Sequence, residues 1–268
     1  MGNAAPTAEA LPKAMVEVAP KFFNIRGSFK IGGVVDVGTQ TSLVQRPSGK
    51  WLFLDSYTLT DDVLESVKSL TNNGDDVEAI INVHPFHTIH VEWMTNAFPE
   101  AKLFGSQRHK EKFPSLKWES TLVEDPTFPS LFSDTLEFEI PKGVDFISAN
   151  ENVHFSSVLA YHKDSKTVHV DDTWMYTKLI NKVALHPTLA QALEKRAGAA
   201  DDFENWMKNT LSKWDVRNLC AAHTWYLLSS ESLNGRLQQA LSGVKSTLDA
   251  HRKKYGVASA VSEKVESQ

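Results

Sequence analysis

A chain of 268 residues with 28 Lys and Arg against 33 Asp and Glu carries a net charge of −5, so no basic field draws it to nucleic acid or anionic membrane. Apolar and charged fractions of 41% and 23% are those of a soluble globular chain that buries a large core, and the length suits one layered α/β domain. The single cysteine, Cys220, excludes an internal disulfide and fits a reducing, cytoplasmic compartment.

Residues 1–20 read as a flexible arm. Lys13 is their only basic residue and no continuous apolar stretch accompanies it, which excludes a secretory signal. No run approaches the length of a membrane span. Gly2 after Met1 hints at N-myristoylation, but Pro6 stands where Ser or Thr is preferred, and one acyl chain anchors only weakly. No stable membrane association is expected. Residues 21–256 read as a single domain without repeats or linkers, and 257–268 as a flexible tail.

The front of the domain is β-rich. Short apolar runs at Phe22–Ile25, Val34–Val37, Thr41–Gln45 and Trp51–Leu54 are separated by turn residues, and Pro47-Ser48-Gly49-Lys50 marks a hairpin. Trp51–Leu54 runs into Asp55. Thr60-Asp61-Asp62 then opens a helix with Val63, Leu64, Val67 and Leu70 at helical spacing. Val77–Ile81 follows as a strand, completing a βαβ unit.

Beyond it lies Asn82-Val83-His84-Pro85-Phe86-His87-Thr88-Ile89-His90, with three of the chain's 10 histidines. Imidazoles clustered after a buried strand point to a metal site; the plainer alternative is surface histidines at a helix start. Pro85 suits the first turn of a helix, with His84 at its cap and His87 three residues on. That helix is expected to run through Trp93 to Ala97. Ala101–Gly105 then reads as a strand and Gln107–Phe113 as a short helix.

Leu136–Ile140 alternates as a half-exposed strand should, and Val144–Ser148, Ser157–Tyr161 and Thr167–Val170 continue the β series. After Asp171-Asp172-Thr173 helices dominate, at about Pro187–Arg196, Asp201–Trp214 and Glu231–Tyr255, interrupted by a strand Val216–Ala222 that ends in His223. Four strands thus end at Asp55, at His84 and His87, at Asp171 and Asp172, and at His223, while His154 precedes a fifth. Strand ends in one layered sheet gather at one edge, where such folds place their chemistry.

The order and spacing of these segments resemble the metallo-β-lactamase superfamily, in a divergent branch of uncharacterised proteins. Trp51-Leu52-Phe53-Leu54-Asp55 is similar to the family's apolar strand with its structural Asp. Ala79 to His87 sits where the family carries HxHxDH. Asn152-Val153-His154-Phe155 resembles the segment of the next His ligand, Val168 to Trp174 the strand that supplies a bridging carboxylate, and Leu219 to His223 the last strand with its terminal His. The resemblance spans roughly residues 22–230. It implies an αββα sandwich, with two mixed β-sheets flanked by helices. It also implies metal ligands His84, His87, His154, Asp172 and His223, with Asp172 and His87 in catalytic roles. The residues themselves add His90, Glu92 and Asp171 as further candidates, His90 and Glu92 for a missing ligand or a general base.

The departure from the family pattern matters equally. With His87 as the last member of HxHxDH, Asn82 stands for the first His and Phe86 for the Asp, which puts a dinuclear site in doubt. The remaining N and O ligands suit a mononuclear Zn²⁺, with Fe²⁺ as the alternative. Bound water at such an ion reaches a pKa of about 7, so a metal-bound hydroxide would hydrolyse an ester, lactone, thioester or amide of a small-molecule substrate.

The rival reading is a catalytically inactive binding or scaffold protein that keeps the fold. A third is a metal-dependent redox enzyme, which no glycine-rich cofactor loop favours. Ser156 and Ser157 beside His154 lack a G-x-S-x-G elbow. Trp174, Tyr176, Trp225 and Tyr226 read as core or pocket wall, Lys110-Glu111-Lys112 and Arg252-Lys253-Lys254 as solvated helix faces, and Cys220 as a buried inert thiol.

Overall fold

The computed structural model describes residues 11–258. Gly2 and the tail from 259 onward lie outside the described residues. In chain order the elements begin with β1 (Met15–Ala19), β2 (Phe22–Gly27), β3 (Lys30–Ile31), β4 (Val35–Asp36), β5 (Thr39–Gln45) and β6 (Trp51–Leu54). Then come α1 (Asp61–Leu70), β7 (Val77–Ile81), α2 (Val91–Ala97), β8 (Lys102–Phe104), α3 (Gln107–Lys112) and β9 (Leu136–Glu139). The second half holds β10 (Leu159–His162), β11 (Thr167–Val170), β12 (Trp174–Thr177), β13 (Lys182–Leu185), α4 (Leu189–Ala192) and α5 (Ala199–Lys213). It closes with β14 (Asn218–Ala221), β15 (Tyr226–Leu228), α6 (Asn234–Gly243) and α7 (Lys245–Tyr255).

Two mixed sheets result, one of six strands in the order β1-β2-β5-β6-β7-β8 and one of five in the order β15-β14-β11-β10-β9. Side-chain alternation along the strands sorts the core into three layers. In β6, Leu52 and Leu54 pack between the sheets, while Trp51 and Phe53 pack outward with Val63 and Val67 of α1. In β11, Val168 and Val170 face a third cluster with Phe203, Trp206 and Met207 of α5 and Leu237 of α6. Three apolar layers between four layers of backbone make an αββα sandwich.

The parallel pairs fix where the chemistry sits. β6, β7 and β8 run parallel, as do β11 and β14, so Asp55, Asn82–His87, Asp171–Asp172 and His223 emerge at the carboxyl ends of their strands. β10 runs antiparallel to β11, which brings its amino end, and His154 before it, to the same edge. There Val158 N–H donates to Val83 O at 2.9 Å and joins the two sheets directly.

Several expectations change. No helix starts at Pro85: residues 82–90 form a turn, with His87 N–H donating to His84 O at 3.1 Å, and α2 begins only at Val91 with His90 at its N-cap. Pro85 does fit a tight turn, since it has no N–H to satisfy. Met15–Ala19, inside the segment read as a flexible arm, pairs antiparallel with β2 and buries Met15. Val144–Ser148 contributes one bridge, Val144 to Leu193, and no strand. The final helix is two, broken at Val244. Arg252 is no solvated residue, because it ties α7 to α5 through Asp201 at 2.7 Å and through Glu204.

Candidate metal centre

Asp172 is the centre of the group. It follows β11 in a left-handed conformation (φ 60°), which Asp tolerates better than bulkier residues. Its side chain is fully buried. Its Oδ2 lies 3.2 Å from His84 Nε2, 3.4 Å from His87 Nε2 and 3.9 Å from His154 Nδ1, and its Oδ1 lies 3.1 Å from His223 Nε2. None of these approaches has hydrogen-bond alignment, so both Asp172 oxygens and His84 Nε2 are buried without a hydrogen-bond partner. Such orphaned atoms cost several kcal/mol unless something charged satisfies them.

The ligand atoms of His84, His87, His154 and Asp172 all lie within 4.8 Å of one another. Three imidazoles and one carboxylate, with His223 at the other carboxylate oxygen, form an N/O set that suits a divalent ion such as zinc. The residues present therefore fit the metal that the fold implies.

Two of the imidazoles are oriented for that task. His87 Nδ1 meets Asp171 Oδ2 at 2.9 Å and His223 Nδ1 meets Gly38 O at 2.9 Å, so each ring donates from Nδ1 and aims Nε2 at Asp172. Metal-binding histidines are held in this way, with the remote nitrogen tied to a carboxylate or carbonyl. His84 differs: Phe86 N–H donates to its Nδ1 at 3.2 Å, which places the His84 proton on Nε2. Coordination through Nε2 would therefore require that proton to leave or to move to Nδ1.

The electrostatics follow the same geometry. Burial and the neighbouring His87 push His84 down to about 4, leaving it neutral. Burial opposes charge on His87 too, but Asp171 and Asp172 outweigh it and raise that imidazole well above its usual range. Burial likewise works against ionisation of Asp172, yet the contacts with His223, His84 and His87 hold it well below the usual carboxylate range. Positive charge is thus favoured next to Asp172, and a divalent cation would supply it at the same point.

A second grouping, Asp55, His87 and Asp171, lies behind the His87 ring. Asp55 Oδ1 already accepts Val83 N–H at 2.8 Å, and His87 Nδ1 is spent on Asp171. Burial and the adjacent Asp171 carboxylate raise Asp55 well above the carboxylate range. His169, fully buried on β11, contacts Ser42 Oγ through Nδ1 at 2.9 Å and leaves Nε2 3.7 Å from Asp55 Oδ2. Sequence reasoning passed over His169 because alternate strand residues are ordinarily core.

The remaining candidates stand apart. His90 Nδ1 lies 2.9 Å from Thr58 Oγ1 and its ring packs edge-on to Tyr57, so it borders the cavity without joining the group. Glu92 is exposed on α2. Asn82, at the family's first His position, is fully buried and structural: it donates to Phe104 O at 3.0 Å and accepts from Ser56 Oγ at 2.7 Å. Phe86, at the Asp position, packs beside His154 with ring centroids 5.1 Å apart, and carries the Arg108 guanidinium 4.5 Å above its ring. Arg108 is itself paired with Glu151 at 2.6 Å.

Arg26 is a further residue with no motif to announce it. Nearly buried, its guanidinium donates to Ala221 O at 2.6 Å and to Ala222 O at 3.0 Å, clamping the end of β14 just before His223. Thr224 follows in a left-handed conformation (φ 75°), unusual for a β-branched residue, and is held by its N–H to Val37 O at 2.7 Å. A cavity of about 90 Å³ opens over the group, with Phe29, Phe86 and Ile89 beside Thr39, Ser56 and Thr88 on its wall and His87, His154 and His223 at its floor; no Lys or Arg among the described residues lines it.

No family model matches the sequence, and no curated protein matches it. Solved structures do. The structure is similar to TMB-1 (15% identity, TM-score 0.60, 86% of this chain and 98% of that one) and to the DIM-1 metallo-β-lactamase exposed to ceftazidime (14%, 0.57, 90% and 99%). It is also similar to a metallo-β-lactamase from Pontibacter korlensis (14%, 0.56, 88% and 98%). At these identities what is shared is the architecture, and the chain has the metallo-β-lactamase fold.

Proposed function

We propose that the chain is a metal-dependent hydrolase that cleaves a small neutral ester, lactone, thioester or amide at a single-ion site. One observation carries this reading: side chains from separate strand ends converge on Asp172, whose two buried oxygens have no hydrogen-bond partner. His84, His87, His154, Asp172 and His223 would hold the ion, which supplies a polarised carbonyl and acidified water. Zn²⁺ matches the N/O donor set, and Fe²⁺ is the alternative.

The chain's own residues set the rest. Asp172 stays ionised, and takes the catalytic role with His87, one of three imidazoles that border both Asp172 and the cavity and the one whose Nδ1 is held by Asp171. Gly38 O and Asp171 keep the His223 and His87 rings turned inward. Asn82 and Phe86 offer no ligand, which favours one ion over two. The cavity's apolar wall favours a substrate without charge, and the chain's acidic balance gives nucleic acid no foothold.

A second reading, a metal-free binding protein, is favoured by the Phe86 N–H on His84 Nδ1, which makes the facing Nε2 a donor. Metal analysis of protein purified without added zinc separates the two. The hydrolase reading expects about one ion per chain, lost in Asp172→Asn, together with esterase or lactonase activity that chelator abolishes and Zn²⁺ or Fe²⁺ restores. An ion content far below stoichiometry, indifferent to Asp172→Asn, overturns it.

A further inference from the structure

Behind His87 lies a buried hydrogen-bond relay that runs from Asn24 and Arg26 through Gln40 to Asp171. Gln40, 2% exposed, accepts Asn24 Nδ2 at 3.0 Å and Arg26 Nη1 at 2.9 Å on its Oε1. Two N–H groups on one atom identify that atom as the amide oxygen, so the amide nitrogen necessarily faces the other way. Gln40 Nε2 there shares its two N–H groups among Asp171 Oδ1 at 3.1 Å, Val170 O at 3.1 Å and Cys220 O at 3.0 Å. The backbone of Asp171 is fixed too, since its carbonyl accepts Thr173 N–H at 2.6 Å and Ser157 Oγ–H at 2.5 Å. One carboxylate oxygen is therefore pinned, and the other meets His87 Nδ1 at 2.9 Å.

We propose that Asp171 is a positioning residue: pinned by Gln40, its carboxylate holds the Nδ1 proton of His87 and so keeps Nε2 aimed at Asp172. Its tie to metal affinity rests on the reading that the cluster binds a divalent ion. The ring needs such a device. His87 follows a turn instead of sitting in a helix, so no helical backbone fixes its direction. Removing a carboxylate behind a metal-binding histidine typically weakens the metal 10–100-fold. Asp171 thus serves through His87, not as a ligand beside Asp172.

Proton NMR of the histidine ring N–H groups tests the geometry, and competitive Zn²⁺ titration tests its consequence. The wild type should show a slowly exchanging, downfield ring proton that disappears in His87→Gln. Asp171→Ala should lack that proton and bind Zn²⁺ about 10–100-fold more weakly. Asp171→Asn, which keeps the side-chain volume and an acceptor oxygen, should fall between and serves if the alanine variant does not fold. A ring proton and Zn²⁺ affinity unchanged in the folded variants overturn the proposal. A wild type that shows the Asp171-dependent proton but binds no Zn²⁺ overturns the metal reading and leaves the positioning intact.

Discussion

Asp55 Oδ1 accepts the backbone N–H of Val83 at 2.8 Å, so the end of one strand grips the end of the next just before His84. Asp55 is buried in a left-handed conformation (φ 63°), and burial with Asp171 beside it raises its carboxyl well above the carboxylate range. An asparagine mimics the neutral form that this shift favours. It tolerates the backbone angle, accepts from Val83 and offers an N–H where the acid has its O–H. Asp55→Asn should therefore cost about 1 kcal/mol or less. Asp55→Ala leaves a buried N–H unsatisfied and strains the backbone, for a loss of about 2–4 kcal/mol. Urea denaturation of the two variants checks this; equal losses would mean that the charge, and not the hydrogen bond, is what matters.

If the group binds an ion, the ion must stabilise the fold. Zn²⁺ at a hundred times its Kd adds about 2.7 kcal/mol. For a chain of this size that raises Tm by about 5–10 °C. Asp172→Asn and His87→Ala should remove the shift, whereas His90→Ala, whose imidazole faces Thr58, should keep it. Thermal melts with and without chelator read the result.

The sheets were legible in the sequence because their strands are largely buried and read as apolar runs, unbroken in Trp51–Leu54 and interrupted only by Glu78 in Val77–Ile81. The convergence of His84, His87, His154, Asp172 and His223 was legible as a family pattern. What sequence could not convey is how the rings turn. Pro85 suits a helix start and a tight turn equally well, and the long-range bonds that hold Val83, to Val158 and to Asp55, go with the turn. Likewise Asp171 and Asp172 are alike in sequence, yet one sits behind the His87 ring and the other at the centre of the group. Arg26 and Gln40 carry no local signal because the partners that tie them to the group, from Val170 to Ala222, lie 130 to 196 residues away.

His109 predicts an acid sensitivity that originates outside the cluster. Ser106 N–H donates to its Nδ1 at 3.1 Å at the start of α3, so the neutral ring caps the helix and a proton on Nδ1 would break the cap. Burial pushes this imidazole down to about 3 from 6.5. The unfolded chain therefore binds the proton first as pH falls. The stability it lends is present above about 6.5 and drains away toward about 3, at up to about 1.4 kcal/mol per pH unit. His87 and His223 are raised and act in the opposite sense, so the readout is a difference. Between about pH 7 and 5 the unfolding free energy of His109→Gln should fall less steeply than that of the wild type, by about one proton. Parallel slopes would remove His109 from the account.

The cavity makes the last prediction, about substrate charge. Phe29, Phe86 and Ile89 give its wall most of its apolar surface beside Thr39, Ser56 and Thr88, no Lys or Arg among the described residues lines it, and the nearby Arg108 is engaged by Glu151 and the Phe86 ring. A substrate bearing its own carboxylate would find no Lys or Arg at the mouth to replace its lost hydration. For matched pairs of esters, kcat/KM should favour the neutral member by about tenfold or more, equivalent to about 1.4 kcal/mol. Ile89 is 71% exposed at the rim, so Ile89→Lys adds a cation there without touching the imidazoles. That variant should narrow the ratio mainly by improving the anionic ester, while the neutral ester keeps its rate. If the wild type instead prefers the anionic ester, the cation that binds it lies elsewhere, and Arg108 released from Glu151 is the first residue to substitute.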